Sequence, residues 1–174
     1  MRIVAGKYKG RRLFYPKNKT FRPTQDRVKE TLFNILGEAC HGASICDLCC
    51  GSGSLGLEAL SREAKKATFI DIDITYVKRN CEFIEDKDSY DIKRQSGLTF
   101  LKNTTQTFDL IFLDPPWNKG DFYDHALKHI FEFDILNPEG LIICEHPKHI
   151  NIPYSEYLVK EVNIGNTMLT LLKK

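Results

Sequence analysis

From Ser44 onward the chain alternates short apolar runs with stretches of helical spacing. The apolar runs Ser44–Leu48, Ala67–Ile72, Ile92–Gln95, Phe108–Asp114 and Leu141–Glu145 predict strands. Leu55–Arg62, Ile74–Ile84, Leu98–Lys102 and Phe122–Phe133 bring apolar residues round every three or four positions and predict helices between them. Strand and helix in that rhythm imply crossover connections, hence a mostly parallel sheet covered on both faces in three layers. The end of the chain breaks the rhythm. Glu156–Val162 and Met168–Leu172, joined through Gly165-Asn166, leave no room for a helix and predict a closing antiparallel hairpin.

Before Ser44, Val28, Leu32, Ile35 and Leu36 form a helical stripe behind Thr24 as a candidate N-cap, ending near Gly37 to Gly42. Ile3 to Phe14 reads as a β-hairpin of two short strands around Gly6 to Gly10, and Tyr15 to Arg22 as an irregular connection. This divides the chain into an extension over 1–23 and an α/β domain over 24–174.

Composition narrows the class. With 174 residues, 42% hydrophobic and 28% charged, the chain can build one core and is neither disordered nor fibrous. No apolar run approaches the roughly 18 to 20 residues of a membrane span. Met1-Arg2-Ile3-Val4 leads into charge instead of a signal-peptide core, so a cytoplasmic location is expected. The six cysteines lie mostly in apolar stretches, where a reduced thiol serves as a small hydrophobe, and no disulfide framework is expected.

Net charge changes the picture only when it is divided. Residues 1–30 hold ten Lys or Arg against two acids, whereas the remainder holds fifteen basic and twenty-one acidic residues. The amino-terminal sixth can therefore attract a polyanion that the body does not, and nucleic acid fits that pattern. A solvated tail is the alternative; the interleaved Tyr8, Phe14, Tyr15 and Phe21 weigh against it.

In an open α/β sheet ligands bind beyond the carboxyl ends of the strands. Those ends are Asp47 to Gly53, Asp71 to Asp73 (with Ile72), Ser96-Gly97 and Asp114 to Trp117, and three of the four begin with a carboxylate. Gly51, Gly53 and Gly56 follow Asp47 and Cys49 in a G-x-G-x-x-G pattern, with Asp71 twenty residues after Gly51. That spacing suits a dinucleotide as well as S-adenosylmethionine. A carboxylate entering the glycine loop suits a cationic sulfonium and ammonium better than a pyrophosphate.

The apolar run Leu110 to Leu113 stops at Asp114-Pro115-Pro116-Trp117. Two prolines fix φ, remove two N–H donors and leave stiff carbonyl acceptors, an edge suited to a planar amino group. Accepting both hydrogens of an exocyclic amine at Asp114 and the Pro115 carbonyl favours a pyramidal nitrogen with a usable lone pair, while Trp117 can stack on the base. The alternative is an ordinary turn with proline as a stop signal. Cys46-x-x-Cys49 has metal-type spacing without a second ligand pair, so no metal is expected. His125, His129, His146 and His149 read as solvated residues of a charged helix and a loop.

The stretch Arg22 to Leu36 (RPTQDRVKETLFNIL), the Asp47 to Arg62 block and Asp114-Pro115-Pro116-Trp117 together resemble the RsmD family of bacterial 16S ribosomal RNA guanine-N2 methyltransferases. Arg2-Ile3-Val4-Ala5-Gly6 and Gly10-Arg11-Arg12-Leu13 resemble that family's start, so the likeness spans essentially the whole chain. It implies a Rossmann-like class I methyltransferase fold and transfer of a methyl group from S-adenosylmethionine to a guanine 2-amino group, leaving S-adenosylhomocysteine. The implied partner is 16S rRNA in the small subunit or its assembly intermediate, met by a monomer.

Carried over by residue, the resemblance assigns Asp47, Cys49, Gly51 and Gly53 to the methionine end of the cofactor and Asp71 and Ile72 to the ribose side. Ser96 and Gly97 fall to the adenine, and Asp114, Pro115, Pro116 and Trp117 to the target base. Lys7, Lys9, Arg11, Arg12, Arg22, Thr24 and Arg27 fall to RNA. Asp71 stands where the family commonly has the longer Glu, and Ser96 where it has Asp or Asn, which implies weaker or water-mediated adenine recognition. Two other readings stay open. A DNA adenine-N6 or cytosine-N4 methylase shares the proline motif but ordinarily carries a separate target-recognition region. A non-catalytic RNA-binding assembly factor would have no use for three aligned carboxylates.

Overall fold

The computed structural model describes residues 1–16, 26–116 and 121–174. Among them one sheet forms from β1 (Ser44–Leu48), β2 (Lys66–Asp71), β3 (Tyr90–Arg94), β4 (Phe108–Leu113), β5 (Leu136–Pro147), β6 (Leu158–Ile164) and β7 (Thr167–Leu172). Its order is β3-β2-β1-β4-β5-β7-β6. The first five strands are parallel, and β7 lies antiparallel between β5 and β6. This is the mostly parallel sheet with a closing hairpin that the apolar rhythm predicts. The chain winds outward from β1 through β2 to β3, then returns to β4 and β5 on the other side. A crevice therefore opens beyond the ends of β1 and β4.

The two-residue period of each strand sorts its side chains between two cores. Leu110 and Phe112 join Ile45 and Phe69 on one face, and Ile111 and Leu113 join Cys46, Leu48 and Ile70 on the other. The first face is covered by α1 (Asp26–Leu36), α2 (Ser54–Ser61) and α3 (Thr75–Cys81), through Val28, Leu32 and Phe33, Leu57, and Val77 respectively. The second is covered by α4 (Gly97–Asn103) and α5 (Asp121–Glu132), through Phe100 and Leu101, and Phe122, Leu127 and Ile130.

All eight residues of α2 are buried, Glu58 among them. A buried carboxylate must be paired and hydrogen-bonded to be tolerated. Its Oε2 accepts the Val4 N–H at 2.8 Å and its Oε1 accepts the Ala5 N–H at 3.0 Å. Arg62 Nε donates to Oε1 at 3.0 Å, and Lys29 Nζ stands 3.7 Å from Oε2. Lys29 and Glu58 are both 0% exposed, and Lys29 also donates to the Arg2 carbonyl. Burial pulls the Lys29 pKa down, while the charge of Glu58 opposes the fall. Lys29 thus belongs to the core, although it counts among the cations of the basic amino terminus.

The same hydrogen bonds correct the expected amino-terminal hairpin. Instead of two strands there is one antiparallel bridge, Arg2 with Arg12, supported by the bonds Ile3 N–H to Arg11 O, Gly10 N–H to Ile3 O and Leu13 N–H to Met1 O. The donors of Val4, Ala5, Lys7 and Tyr8 go to Glu58 and Ser61 of α2 instead, so they are not available to a second strand. Gly6 sits at φ +80 against the Ser61 carbonyl, where any Cβ would collide.

Two expectations at the other end also change. β5 is predicted over Leu141–Glu145 but starts at Leu136. Its pairing with β4 shifts register between Phe108 and Leu110, and Glu139 takes φ +66, which absorbs the turn-like Pro138-Glu139-Gly140. His146, expected in a solvated loop, lies inside β5 opposite Met168 and is 2% exposed. Its Nε2 is 2.8 Å from Thr170 Oγ1 and its Nδ1 3.0 Å from the Pro147 carbonyl, and burial lowers its pKa. His125 and His149 are exposed and His129 half-buried.

Glu58→Ala leaves Lys29 without its counter-charge and two amino-terminal N–H groups without an acceptor. A stability loss of about 3–5 kcal/mol is expected in denaturant unfolding, with residues 1–16 newly open to proteolysis. A loss under about 1 kcal/mol would show that Glu58 does not anchor the segment.

Candidate functional site

The carboxylates that end the strands meet at the crevice because of register. Leu48 pairs with Ile70 on one side and Leu113 on the other, so Asp71 and Asp114 each follow a partner of Leu48 and flank Cys49. Asp47 lies one step below. It is 1% exposed, and its Oδ2 accepts the Gly56 N–H at 2.9 Å. Burial raises the Asp47 pKa to about 7; the Gly56 bond opposes the rise, and the charges of Asp114 and Asp71 add to it. Asp47 thus has two acidic neighbours, Asp114 and Asp71, close enough to add to the effect of its burial.

The loop between β1 and α2 turns through three left-handed residues, Cys49 at φ 59, Gly51 at φ 53 and Gly53 at φ 75. The N–H groups of its three glycine positions are already taken. Gly51 N–H bonds Asp71 Oδ2 at 2.8 Å, Gly53 N–H bonds the Cys50 carbonyl at 2.7 Å, and Gly56 N–H bonds Asp47. An added Cβ on Gly56 would lie 2.4 Å from Phe69 Cε1, so this glycine serves the close packing of α2 on β2. Asn80, 2% exposed on α3, donates through Nδ2 to the Ser52 carbonyl at 2.8 Å and steadies the loop from outside.

Asp71 Oδ1 accepts the Asp73 N–H at 3.0 Å, so both its oxygens engage backbone while the residue stays half-buried. Ile72 beside it is 65% exposed. Ser96 caps α4: its hydroxyl accepts the Thr99 N–H at 3.1 Å and donates to Thr99 Oγ1 at 2.8 Å. Gly97 is buried, and a Cβ there would stand 3.2 Å from both Leu48 Cδ2 and Phe122 Cζ, a packing reason for glycine.

Asp114 is half-buried, Pro115 buried and Pro116 exposed; Trp117, Arg22 and Thr24 lie outside the described residues. Beneath Asp114 sits Tyr123 of α5, 2% exposed, which sequence reading missed because it merges with the apolar stripe of its helix. Its hydroxyl donates to the Glu145 carbonyl at 2.5 Å. Burial pushes its pKa far up, with Asp114, Cys144 and Glu145 adding to the rise, so it stands as a neutral donor under the acidic rim.

Lys7, Lys9, Arg11, Arg12 and Arg27 are all exposed. Tyr8 packs edge-on to Phe83 at 5.1 Å, and the Arg11 guanidinium lies 4.6 Å from the centre of the same ring. Cys46 is fully buried and burial raises its pKa well above the usual thiol range. Among the described residues no group of three His, Cys, Asp or Glu gathers as metal ligands, and no helix is long and apolar enough to cross a membrane.

Comparison with known proteins places this geometry. A family profile described as conserved hypothetical protein 95 matches residues 1–173. A Haemophilus influenzae protein named ribosomal RNA small subunit methyltransferase D is 39% identical over 95% of this chain and 89% of its own length. The Escherichia coli protein of the same name is 32% identical over 88% of this chain and 78% of its own. The solved structure of yhhF from Escherichia coli superposes with a TM-score of 0.87 at 30% identity, covering 100% of this chain and 97% of the other.

The raised pKa of Asp47 gives a stability signature with a definite sign. Unfolding releases its proton near the ordinary value of 3.8, whereas the fold retains it to about 7. Stability contributed by Asp47 therefore falls as pH rises from about 4 to about 7 and is level above that. Asp47→Asn keeps an acceptor for Gly56 and should remove that decline when denaturant midpoints are compared at pH 5 and 7.5. Parallel pH profiles for the two proteins would contradict it.

Proposed function

The chain belongs to the conserved hypothetical protein 95 family, the RsmD family, and on that premise we propose that it methylates the 2-amino group of a guanine in 16S rRNA of the small ribosomal subunit. It is an S-adenosylmethionine-dependent methyltransferase with a class I fold. The observation that carries the cofactor reading is the combination of three clustered carboxylates with a glycine loop whose N–H groups at positions 51, 53 and 56 are already bonded. A pyrophosphate needs those donors and would meet negative charge. A sulfonium and an ammonium relieve the crowding of like charges at Asp47, Asp71 and Asp114.

When bound, S-adenosylmethionine supplies an electrophilic methyl group on a cationic sulfur. Asp47, Cys49, Gly51 and Gly53 hold its methionine end, Asp71 and Ile72 its ribose side, and Ser96 and Gly97 border the adenine. Asp114 and the Pro115 carbonyl accept the two hydrogens of the base amine and orient its nitrogen lone pair. Asp114 takes up the proton only after the nitrogen has gained its new bond, since the aromatic amine is not acidic before then. Trp117 stacks on the base, and Pro116 stiffens the edge. Lys7, Lys9, Arg11, Arg12, Arg22, Thr24 and Arg27 bind RNA, and exposure of the described ones is what supports that role. The protein acts in the cytoplasm as a monomer, on the small subunit or its assembly intermediate.

Mass-spectrometric mapping of 16S rRNA from cells lacking the protein should show the loss of one 2-methylguanine; an unchanged map would remove the reading. Asp114→Ala should lower turnover by about 100-fold or more while calorimetric affinity for S-adenosylmethionine changes little, because its interactions are made with the reacting amine. Unaltered turnover would exclude Asp114 from the chemistry. Replacing Arg11 and Arg12 together by Gln should weaken RNA binding and flatten its dependence on salt, and a slope equal to that of the wild type would show that neither meets phosphate.

A further inference from the structure

We propose that Phe14 and Arg79 form a stacked platform that binds an unpaired nucleotide of the RNA substrate, with Asn80 as the residue that positions it. Phe14 is 47% exposed, so part of its ring is open to a ligand. The Arg79 guanidinium lies 3.5 Å from the centre of that ring. Asn80 grips the Phe14 backbone from both sides: its Oδ1 accepts the Phe14 N–H and its Nδ2 donates to the Phe14 carbonyl, each at 2.8 Å. The same amide donates to the Ser52 carbonyl in the loop after β1. The backbone that carries the ring is thus tied to the loop after β1 by a buried side chain with three of its four bonding positions filled.

A ring clamped in this way presents π surface to solvent beside a permanent cation. Nucleobases stack on aromatic and guanidinium planes regardless of sequence, and the adjoining phosphate pairs with arginine. The surroundings match a polyanion. Lys78 precedes Arg79 on the same exposed turn of α3, and Arg11 and Arg12 are exposed on the amino-terminal segment; the opposite charges Glu82, Glu85, Asp86 and Asp88 follow α3 in the chain. The placement next to the glycine loop puts this contact between the basic segment and the site. A nucleotide held there flanks the target guanine, so the platform would orient the strand on its way to Asp114. The inference rests on the RNA-methylating reading above.

The test uses the full chain, protein-free 16S rRNA and assembled small subunits as probes, and affinities measured across a range of salt. Phe14→Ala should weaken binding to protein-free rRNA by about five- to tenfold with an unchanged salt slope, and Phe14→Trp should restore it. Arg79→Ala should weaken binding and lower the slope by about one phosphate contact. If wild-type protein binds and methylates rRNA while Phe14→Ala and Arg79→Ala bind equally well, the platform is overturned and the function stands. If wild-type protein neither binds nor methylates protein-free rRNA or assembled subunits, both fall. Should Phe14→Ala lose affinity for assembled subunits but not for protein-free rRNA, the occupant is a ribosomal protein and the nucleotide proposal is wrong.

Discussion

A carboxylate with no access to water, Glu58, sits at the middle of α2 and dictates how the outer layer is built. Stripping an ion of its hydration is costly enough that every one of its lone pairs has to be met by a donor. Here the donors are the backbone of Val4 and Ala5 and the side chain of Arg62 one helical turn on, and Lys29 of α1 adds a counter-charge. The amino-terminal segment is consequently a lid on α2. Its basic side chains face outward because its backbone faces inward, toward Glu58 and Ser61.

The inner layer obeys a related rule with a different result. At the rim of the sheet, Asp47 is buried with one backbone donor and two acidic neighbours, and its proton is held to about pH 7. Glu58 is matched by cations; among the described residues Asp47 is not. An acid left short of positive charge at the switch point of an α/β sheet is a reservoir of unfavourable electrostatics that a cationic ligand discharges. The glycines divide their labour accordingly. Gly51 turns the chain, whereas Gly56 lets α2 settle on Phe69.

The parallel sheet was legible because its inner strands β1, β2 and β4 are apolar on both faces, and β1 falls at Ser44–Leu48 as the pattern predicts. The acids at the strand ends were legible too, since each closes an apolar run. What the pattern could not carry was any residue whose role depends on a distant partner. His146 lies in a polar stretch and reads as solvated, yet pairing with β7 buries it. Lys29 reads as one more surface cation, and only Glu58, twenty-nine residues on, makes it a core residue. The apolar run marks β5 only from Leu141, but a shift in pairing with β4 lets the strand begin at Leu136. The hairpin expected at the start is reduced to one bridge, Arg2 with Arg12, for the same reason, as the donors between them are claimed by a helix fifty residues away.

That separation sets an order of events during synthesis. Val4, Ala5 and Tyr8 find their acceptors 53 to 54 positions downstream, and Phe14 finds Asn80 only 66 positions on. The stretch translated first therefore waits for residues up to Asn80 before it can dock. Until α3 has left the ribosome, the polycationic leader has no native berth and trails as an unanchored arm, while the central strands are still collecting their neighbours.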